Sequence, residues 1–331
     1  MRAVCGFVVL GIAKATVMRD AVPTSNDTGA WPHEPVQVRL NVFDQPTRLL
    51  SVRQLLKVLD LCCKKHPVRI ANFGAGEYLP DARNKTYTLD PVNEILRHAR
   101  RGRALLVDPN RERLHRATRE LPPERVVALA EFATPETVDD QLRRAQLGRE
   151  LTVLKIDIDA FDCSLLSAVL DVVQLRPAVI VMEANVKFPP PLQWNVGFVP
   201  GMALGSRIGR PWGCSLAYQA AFLGERQYSL LHLDILDAVF VRDDLWPFPW
   251  RPLHPQEAFE AHFLHFVGDS NFRPPMWDRA HSLLAGAKGS RSRLLELARR
   301  EPLIQDKSTL RGVPGISLAP WNLTVGAYLD A

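Results

Sequence analysis

Short apolar runs alternating with helical stretches from residue 68 onward predict a doubly wound α/β fold. Three observations carry that expectation. The runs VRIANF (68–73), ALLVD (104–108), RVVALAEF (125–132), LTVLKID (151–157) and AVIVMEA (178–184) are nearly continuous in apolar residues, as strands covered on both faces are. The connections between them carry helical stretches of ten to fourteen residues, enough for right-handed crossovers. The last two runs, YSLLHLD (228–234) and DAVFVR (237–242), are separated by Ile235 and Leu236 alone, so they must lie antiparallel. The expected sheet is mostly parallel and seven-stranded with an antiparallel last strand, an N-terminal helix before it and a C-terminal helical appendage after it.

In chain order, residues 1–18 form a candidate targeting segment, and residues 19–65 a lead-in and N-terminal helix. The lead-in (19–48) is rich in Pro, Asp, Asn and Thr. In SVRQLLKVLDLCCKK (51–65), Val52, Leu55, Leu56, Leu59, Cys62 and Cys63 fall at helical spacing behind a Ser51/Gln54 capping box. The Rossmann-like domain spans 66–245. Its first helix opens on Asp90-Pro91, an N-cap with proline at the first helical position, and its third on Thr134-Pro135. A helix over 163–175 stops before Pro177, a Pro/Gly-rich connection fills 186–213, and 214–226 is helical. Residues 246–331 read as an appendage with helices near 256–267 and 290–300 and no new core pattern.

Composition narrows the classes. The chain has 331 residues, 47% hydrophobic and 23% charged, so it can bury a substantial core. A net charge of +5 comes from scattered arginines, with no basic run interleaved with aromatics, so no nucleic-acid partner is expected. The five cysteines show no zinc spacing, and buried free thiols are expected rather than a disulfide framework. GxSxG, Walker and HExxH motifs are absent, against serine hydrolase, P-loop NTPase and zinc protease chemistry. MRAVCGFVVLGIAKA reads either as a cleavable signal or as a buried first strand of a cytosolic protein; it is too short for a membrane span. Sequons at Asn26, Asn84 and Asn322 favour the secretory route, although a glycan on Asn84 would obstruct the loop described next.

ANFGAGEY runs from a strand into a glycine bend, where backbone can approach a ligand closely. Asp108, at the end of the second strand, is placed to accept from ribose hydroxyls. The third glycine of GxGxxG is missing and the helix begins only near Asp90, which disfavours a dinucleotide. A ligand without pyrophosphate, such as S-adenosylmethionine, suits the bend better. Asn72, Gly74, Gly76, Asp108 and Asp157 are the expected cofactor-binding set.

LKIDIDAFDC (154–163) crowds three aspartates at a strand end, and MEAN (182–185) closes the next strand on the same edge. Asp157, Asp159, Glu183 and Asn185 are therefore the candidate catalytic residues, able to orient an acceptor hydroxyl or take its proton. The same four could instead hold Mg²⁺, a hard cation that would offset their repulsion. Asp162 fits helix N-capping as well as chemistry, and Lys155 reads as solvated or paired with an aspartate. His232, and His262 with His265, read as packed or helix-face residues. Trp194, Trp212, Trp246 and Trp250 read mostly as packing, with an acceptor platform as the alternative.

From LTVLKIDIDAFD through AVIVMEANVKFPPP to WGCSLAYQAAFLGERQYSLLHLDILDAVFVRDDL the chain resembles FkbM-like S-adenosylmethionine-dependent methyltransferases. The resemblance covers roughly residues 66–245. By position, Asp157, Asp159 and Asp162 match that family's acidic strand end, and Glu183 and Asn185 its following motif. Ser215 and Leu216 match its helix opening, and residues 238–242 its last strand. Ala160 stands where the family has Gly, and Asp237 where it has Asn. The resemblance implies an O-methyltransferase using S-adenosylmethionine on a sugar or small-metabolite hydroxyl, a glycan if the chain is secreted. A scaffold that has lost its cofactor and a metal-assisted methyltransferase are the alternatives; a nicotinamide oxidoreductase is disfavoured by the loop.

Overall fold

The computed structural model describes residues 52–61, 66–75, 90, 92–99, 101–119, 121–198, 200, 212–234, 236–247, 250–265, 275–288, 290–300 and 321–325. The candidate targeting segment, the lead-in, Ser51, Cys5, Cys62, Cys63, Gly76 and the sequons at Asn26 and Asn84 lie outside these residues.

The sheet is the expected one. Strands β1 (Val68–Phe73), β2 (Gly102–Val107), β3 (Val126–Leu129), β4 (Glu150–Ile156) and β5 (Arg176–Glu183) run parallel. A short β6 (Leu192–Val196) lies outside the sheet, and β7 (Tyr228–Asp234) and β8 (Asp237–Arg242) complete it in the order β3-β2-β1-β4-β5-β8-β7. The last strand, β8, is antiparallel to both β5 and β7. The order reverses between β1 and β4, which opens a crevice beyond their carboxyl ends.

Each face of the sheet carries its own core. One packs α1 (Val52–Val58), α2 (Asn93–His98) and α3 (Arg111–Thr118) through Leu55, Ile95 and Leu114 onto Ile70 and Leu106. The other packs α4 (Val138–Ala145), α5 (Asp162–Ser167), α6 (Leu216–Gly224) and α7 (Pro255–Ala258) onto Phe73, Ile156, Met182 and Phe240. Helix α5 continues as a π-helical turn to Val172, where Val173 N–H donates to the Ala168 carbonyl.

Helix starts follow their caps. The Asn110 side chain accepts from Arg113 N–H to open α3, and Ser215 accepts from Tyr218 N–H to open α6. At α4 the helix begins at Val138, later than Thr134-Pro135 suggested. There Thr134 and Thr137 exchange side-chain and backbone hydrogen bonds in a preceding turn.

Three expectations are corrected. First, the connection 186–213 contains β6, which pairs antiparallel with β9 (Trp321–Val325). Buried Leu192, Trp194 and Val196 of β6 then form a third core with Leu283 and Ala287 of α8 (Pro275–Ala287) and Leu294 and Ala298 of α9 (Arg291–Arg299). The appendage therefore does bring a core pattern. It was hidden because β6 and its partner strand are more than a hundred residues apart and five residues each.

Second, β3 ends at Leu129 rather than 132. Past it the chain turns, and the Phe132 carbonyl accepts from the Gln141 side chain of α4.

Third, Cys163 and Cys214 are disulfide-bonded, not free thiols. Their Cα atoms stand 6.1 Å apart, within reach of a bond that no spacing rule anticipates across 51 residues. Closing a loop of that length removes unfolded-state entropy worth about 4 kcal/mol. The double variant C163A/C214A is accordingly expected to unfold at markedly lower denaturant with an unchanged far-UV spectrum. An unshifted midpoint would show that the bond contributes nothing.

Candidate active site

The site is built on the carboxyl rim of the sheet, where β1, β2, β4 and β5 end. At the β1 end, Gly74 adopts φ +83°, and its N–H and that of Ala75 both donate to the Val107 carbonyl of β2. A Cβ on Gly74 would land on the carbonyl oxygen of Asp157. The glycine is therefore demanded by the close approach of the β4 end. Asp108 sits beside this bend with 3% of its side chain exposed, accepting from Asn110 N–H at 2.7 Å and facing Arg113 at 3.3 Å. The expected ribose acceptor is thus held in place by the start of α3.

Asn72 is wholly buried and donates from Nδ2 to Asp90 Oδ2 at 2.7 Å; its Oδ1 has no hydrogen-bond partner among the described residues. Asp90 also accepts from Val92 N–H, but α2 begins only at Asn93 with Val92 as its N-cap, so Asp90 is not the helix cap expected, and its other oxygen reaches inward to the site. Four ångströms from that oxygen lies the ammonium of Lys155, which is 1% exposed. Lys155 is neither solvated nor peripheral: it donates to Asp157 Oδ2 at 2.7 Å. Burial opposes its charge, but the carboxylates of Asp157, Asp90 and Asp237 outweigh that and raise its pKa.

Asp157, Asp159 and Glu183 come together, with a carboxylate oxygen of each lying within 4.8 Å of the others. Asp159 projects from a left-handed turn at φ +54°, a conformation that aspartate tolerates. Ala160 has no positive φ, so the Gly-to-Ala departure there strains nothing. Burial and then the Asp157 charge raise the Asp159 pKa. Burial, followed by the charges of Asp157 and Asp159, raises that of Glu183 well above the ordinary carboxylate value.

Asn185 does not join this trio. Its Nδ2 donates to the Trp212 carbonyl and its Oδ1 accepts from Lys187 N–H, so both ends brace the loop. Asp162 is no N-cap either. It is the first residue of α5, and its carboxylate accepts from Ile158 and Ala160 N–H, bracketing the turn that presents Asp159. Burial pushes Asp162 up to about 7. The Cys163–Cys214 bond fastens the same turn to the end of β5, where Cys214 bridges Ala184 and Gly213 N–H donates to Ala160.

Among the other candidates, His262 is buried against the Leu233 backbone and Trp194 stacks on Phe188 in the third core, as packing predicts. Trp246 and Trp250 pack against a sheet-face core, while Trp212 is half-buried with the Lys187 ammonium 5.8 Å from its ring.

Sequence reasoning gave neither Asp90 nor Asp237 a place in the site. Asp237 pairs in register with Glu183, and burial pushes it up to about 7 while Lys155 holds it down. The hairpin reading already returned Asp237 to this rim, so the signal existed.

No family model and no curated protein matches the chain, so the FkbM-like resemblance has no family model behind it. Solved structures give distant likenesses. The N-terminal domain of EvdMO1 with SAH bound is 17% identical with a TM-score of 0.36, over 58% of this chain and 78% of that one. A putative rRNA methylase from Clostridium thermocellum is 10% identical with a TM-score of 0.34, over 59% of this chain and 97% of that one. The MycE methyltransferase from the mycinamycin biosynthetic pathway, in complex with Mg and SAH, is 15% identical with a TM-score of 0.33, over 62% and 59% respectively. Likeness of that degree assigns no chemistry to this chain.

Proposed function

We propose that the chain is an S-adenosylmethionine-dependent O-methyltransferase acting on a hydroxyl of a sugar or small metabolite. The observation that carries this reading is the convergence of Asp157, Asp159 and Glu183 at the switch point of the sheet, next to a glycine bend flanked by Asp108. The donor set fits the cofactor. Asp108, beside the bend, is the carboxylate that would meet ribose hydroxyls, and Gly74 brings backbone without a Cβ to the same place. The cofactor supplies a methyl group already activated by its sulfonium, so the protein needs alignment and a base rather than a covalent nucleophile. Lys155 donates to Asp157 Oδ2 and so holds that carboxylate in place as a hydrogen-bond acceptor. Glu183, whose pKa is raised by burial and by its acidic neighbours, is a stronger base than an ordinary carboxylate and is assigned the acceptor's proton.

Calorimetric titration with S-adenosylhomocysteine tests the reading. Binding is expected in the wild type, weakened at least about tenfold in Asp108→Ala, which loses a charge-assisted contact. A folded wild type that gives no heat would mean a scaffold in place of an enzyme.

The trio also favours a metal-assisted variant of the same reaction. Three hard carboxylates within 4.8 Å suit Mg²⁺, and Lys155 engages only one oxygen of Asp157. On that reading Mg²⁺ tightens acceptor binding, and EDTA abolishes turnover.

A further inference from the structure

The arginines that look scattered in the sequence gather on the rim opposite the site. Because β1, β2, β4 and β5 are parallel, their first residues share one edge of the sheet. Arg69 and Arg103 stand directly opposite each other on β1 and β2. Arg101 and Arg149 immediately precede β2 and β4, and Arg176 opens β5. All five are exposed, and none has a carboxylate within ion-pair distance among the described residues. The nearby acids are already engaged: Glu150 and Asp244 pair with Arg242, Asp243 accepts from Ser229, and Glu124 shares with Arg103 and Arg125 the lining of a shallow cavity of about 140 Å³.

Like charges placed in register on adjacent strands destabilise a sheet. Helix-end capping does not account for the row, since Arg69, Arg103 and Arg176 lie within strands. Nor can the acidic rim neutralise it. Strands of six to eight residues hold the two rims about 20 Å apart, beyond the roughly 8 Å screening length of physiological salt. An external polyanion would turn the cost into attraction, each planar guanidinium taking one oxyanion.

We propose that this arginine rim binds a sulfated glycan chain. Two observations select that polyanion over a nucleic acid. Among the described residues the exposed large hydrophobics are Val58, Phe132 and Val172, none at the strand starts, and Trp246 and Trp250 past β8 are packed against the sheet-face core, so no fully exposed aromatic stands there for bases to stack on. The Cys163–Cys214 bond forms in oxidising compartments, where sulfated glycans, and not nucleic acids, are the abundant polyanions.

The test measures binding of the full-length oxidised protein to a size-defined heparin oligosaccharide, to its desulfated form and to duplex RNA of equal charge. Heparin is expected to bind in a salt-dependent manner, with desulfated heparin and RNA at least tenfold weaker. Arg69→Ala/Arg103→Ala is expected to lose about tenfold on heparin. Arg116→Ala/Arg293→Ala, which removes equal charge elsewhere, is expected to lose little. Equal losses in the two double variants, or no heparin binding by the wild type, would overturn the proposal. RNA binding as tight as heparin would overturn the glycan assignment. Titration with S-adenosylhomocysteine reports the opposite rim, so this result and that of the methyltransferase reading are separable.

Discussion

Gly74→Ala is expected to be among the most damaging single substitutions in the chain, costing about 3–5 kcal/mol and abolishing S-adenosylhomocysteine binding. Two independent penalties add. At φ +83° an alanine pays the left-handed strain of about 1–2 kcal/mol. Its Cβ would also overlap the Asp157 carbonyl, which is backbone and cannot rotate away. Relief requires opening the β1–β4 junction, where Asp157 N–H donates to the Phe73 carbonyl at 2.9 Å. That movement displaces the aspartate closest to Lys155. Chemical denaturation and calorimetry check the two effects separately. A variant as stable as wild type would show that the two strand ends are not in contact.

Lys155→Met is expected to cost about 3–5 kcal/mol at pH 8 and clearly less at pH 5. Methionine fills the space but leaves Asp157, Asp90 and Asp237 without their shared cation in a buried setting. The lysine does not itself titrate in this range, because its raised pKa keeps it charged on both sides. The pH dependence belongs to the acids. Asp162 and Asp237 sit at about 7 in the folded protein against 3.8 ordinarily, so the fold binds extra protons between those values. Their contribution to stability is present at low pH and is lost as pH rises towards 7. Removing Lys155 takes away the charge that holds Asp237 down, so its titration moves higher and the variant gains more from acidification than the wild type does. Denaturant unfolding of both proteins at pH 5, 6.5 and 8 checks this. A penalty independent of pH would sink the idea that these carboxylates share the lysine.

Much of the architecture was legible because it is local. Strands β1, β7 and β8 were found to the residue, since their apolar runs are bounded by Pro67, Gly74, Gln227 and a two-residue turn. The antiparallel last strand followed from the shortness of that turn alone. Strand β6 was invisible for the opposite reason: five residues behind a proline run have no strand identity until β9 pairs with them.

The candidate site divides the same way. The acids of 157–162 and 183 announced themselves by their position at strand ends, whereas Lys155 read as either solvated or paired with an aspartate, the second being what the structure shows, and Asp90 read only as a cap. Their roles depend on a 4.0 Å approach across 65 residues of chain, which periodicity cannot report.

The sequence by itself determined the succession and direction of the sheet strands, and hence that Gly74, Asp108, Asp157 and Glu183 share one rim; their order across the sheet came from the structure. Backbone hydrogen bonding and the burial of apolar runs act over a few residues, so their traces are written locally. Only the tertiary structure decided which carboxylates face one another, that Lys155 is their buried cation, that Asn185 serves the loop, and that Cys163 meets Cys214. Those outcomes are set by distances between segments far apart in the chain, where electrostatics and packing act through space and leave no mark on spacing.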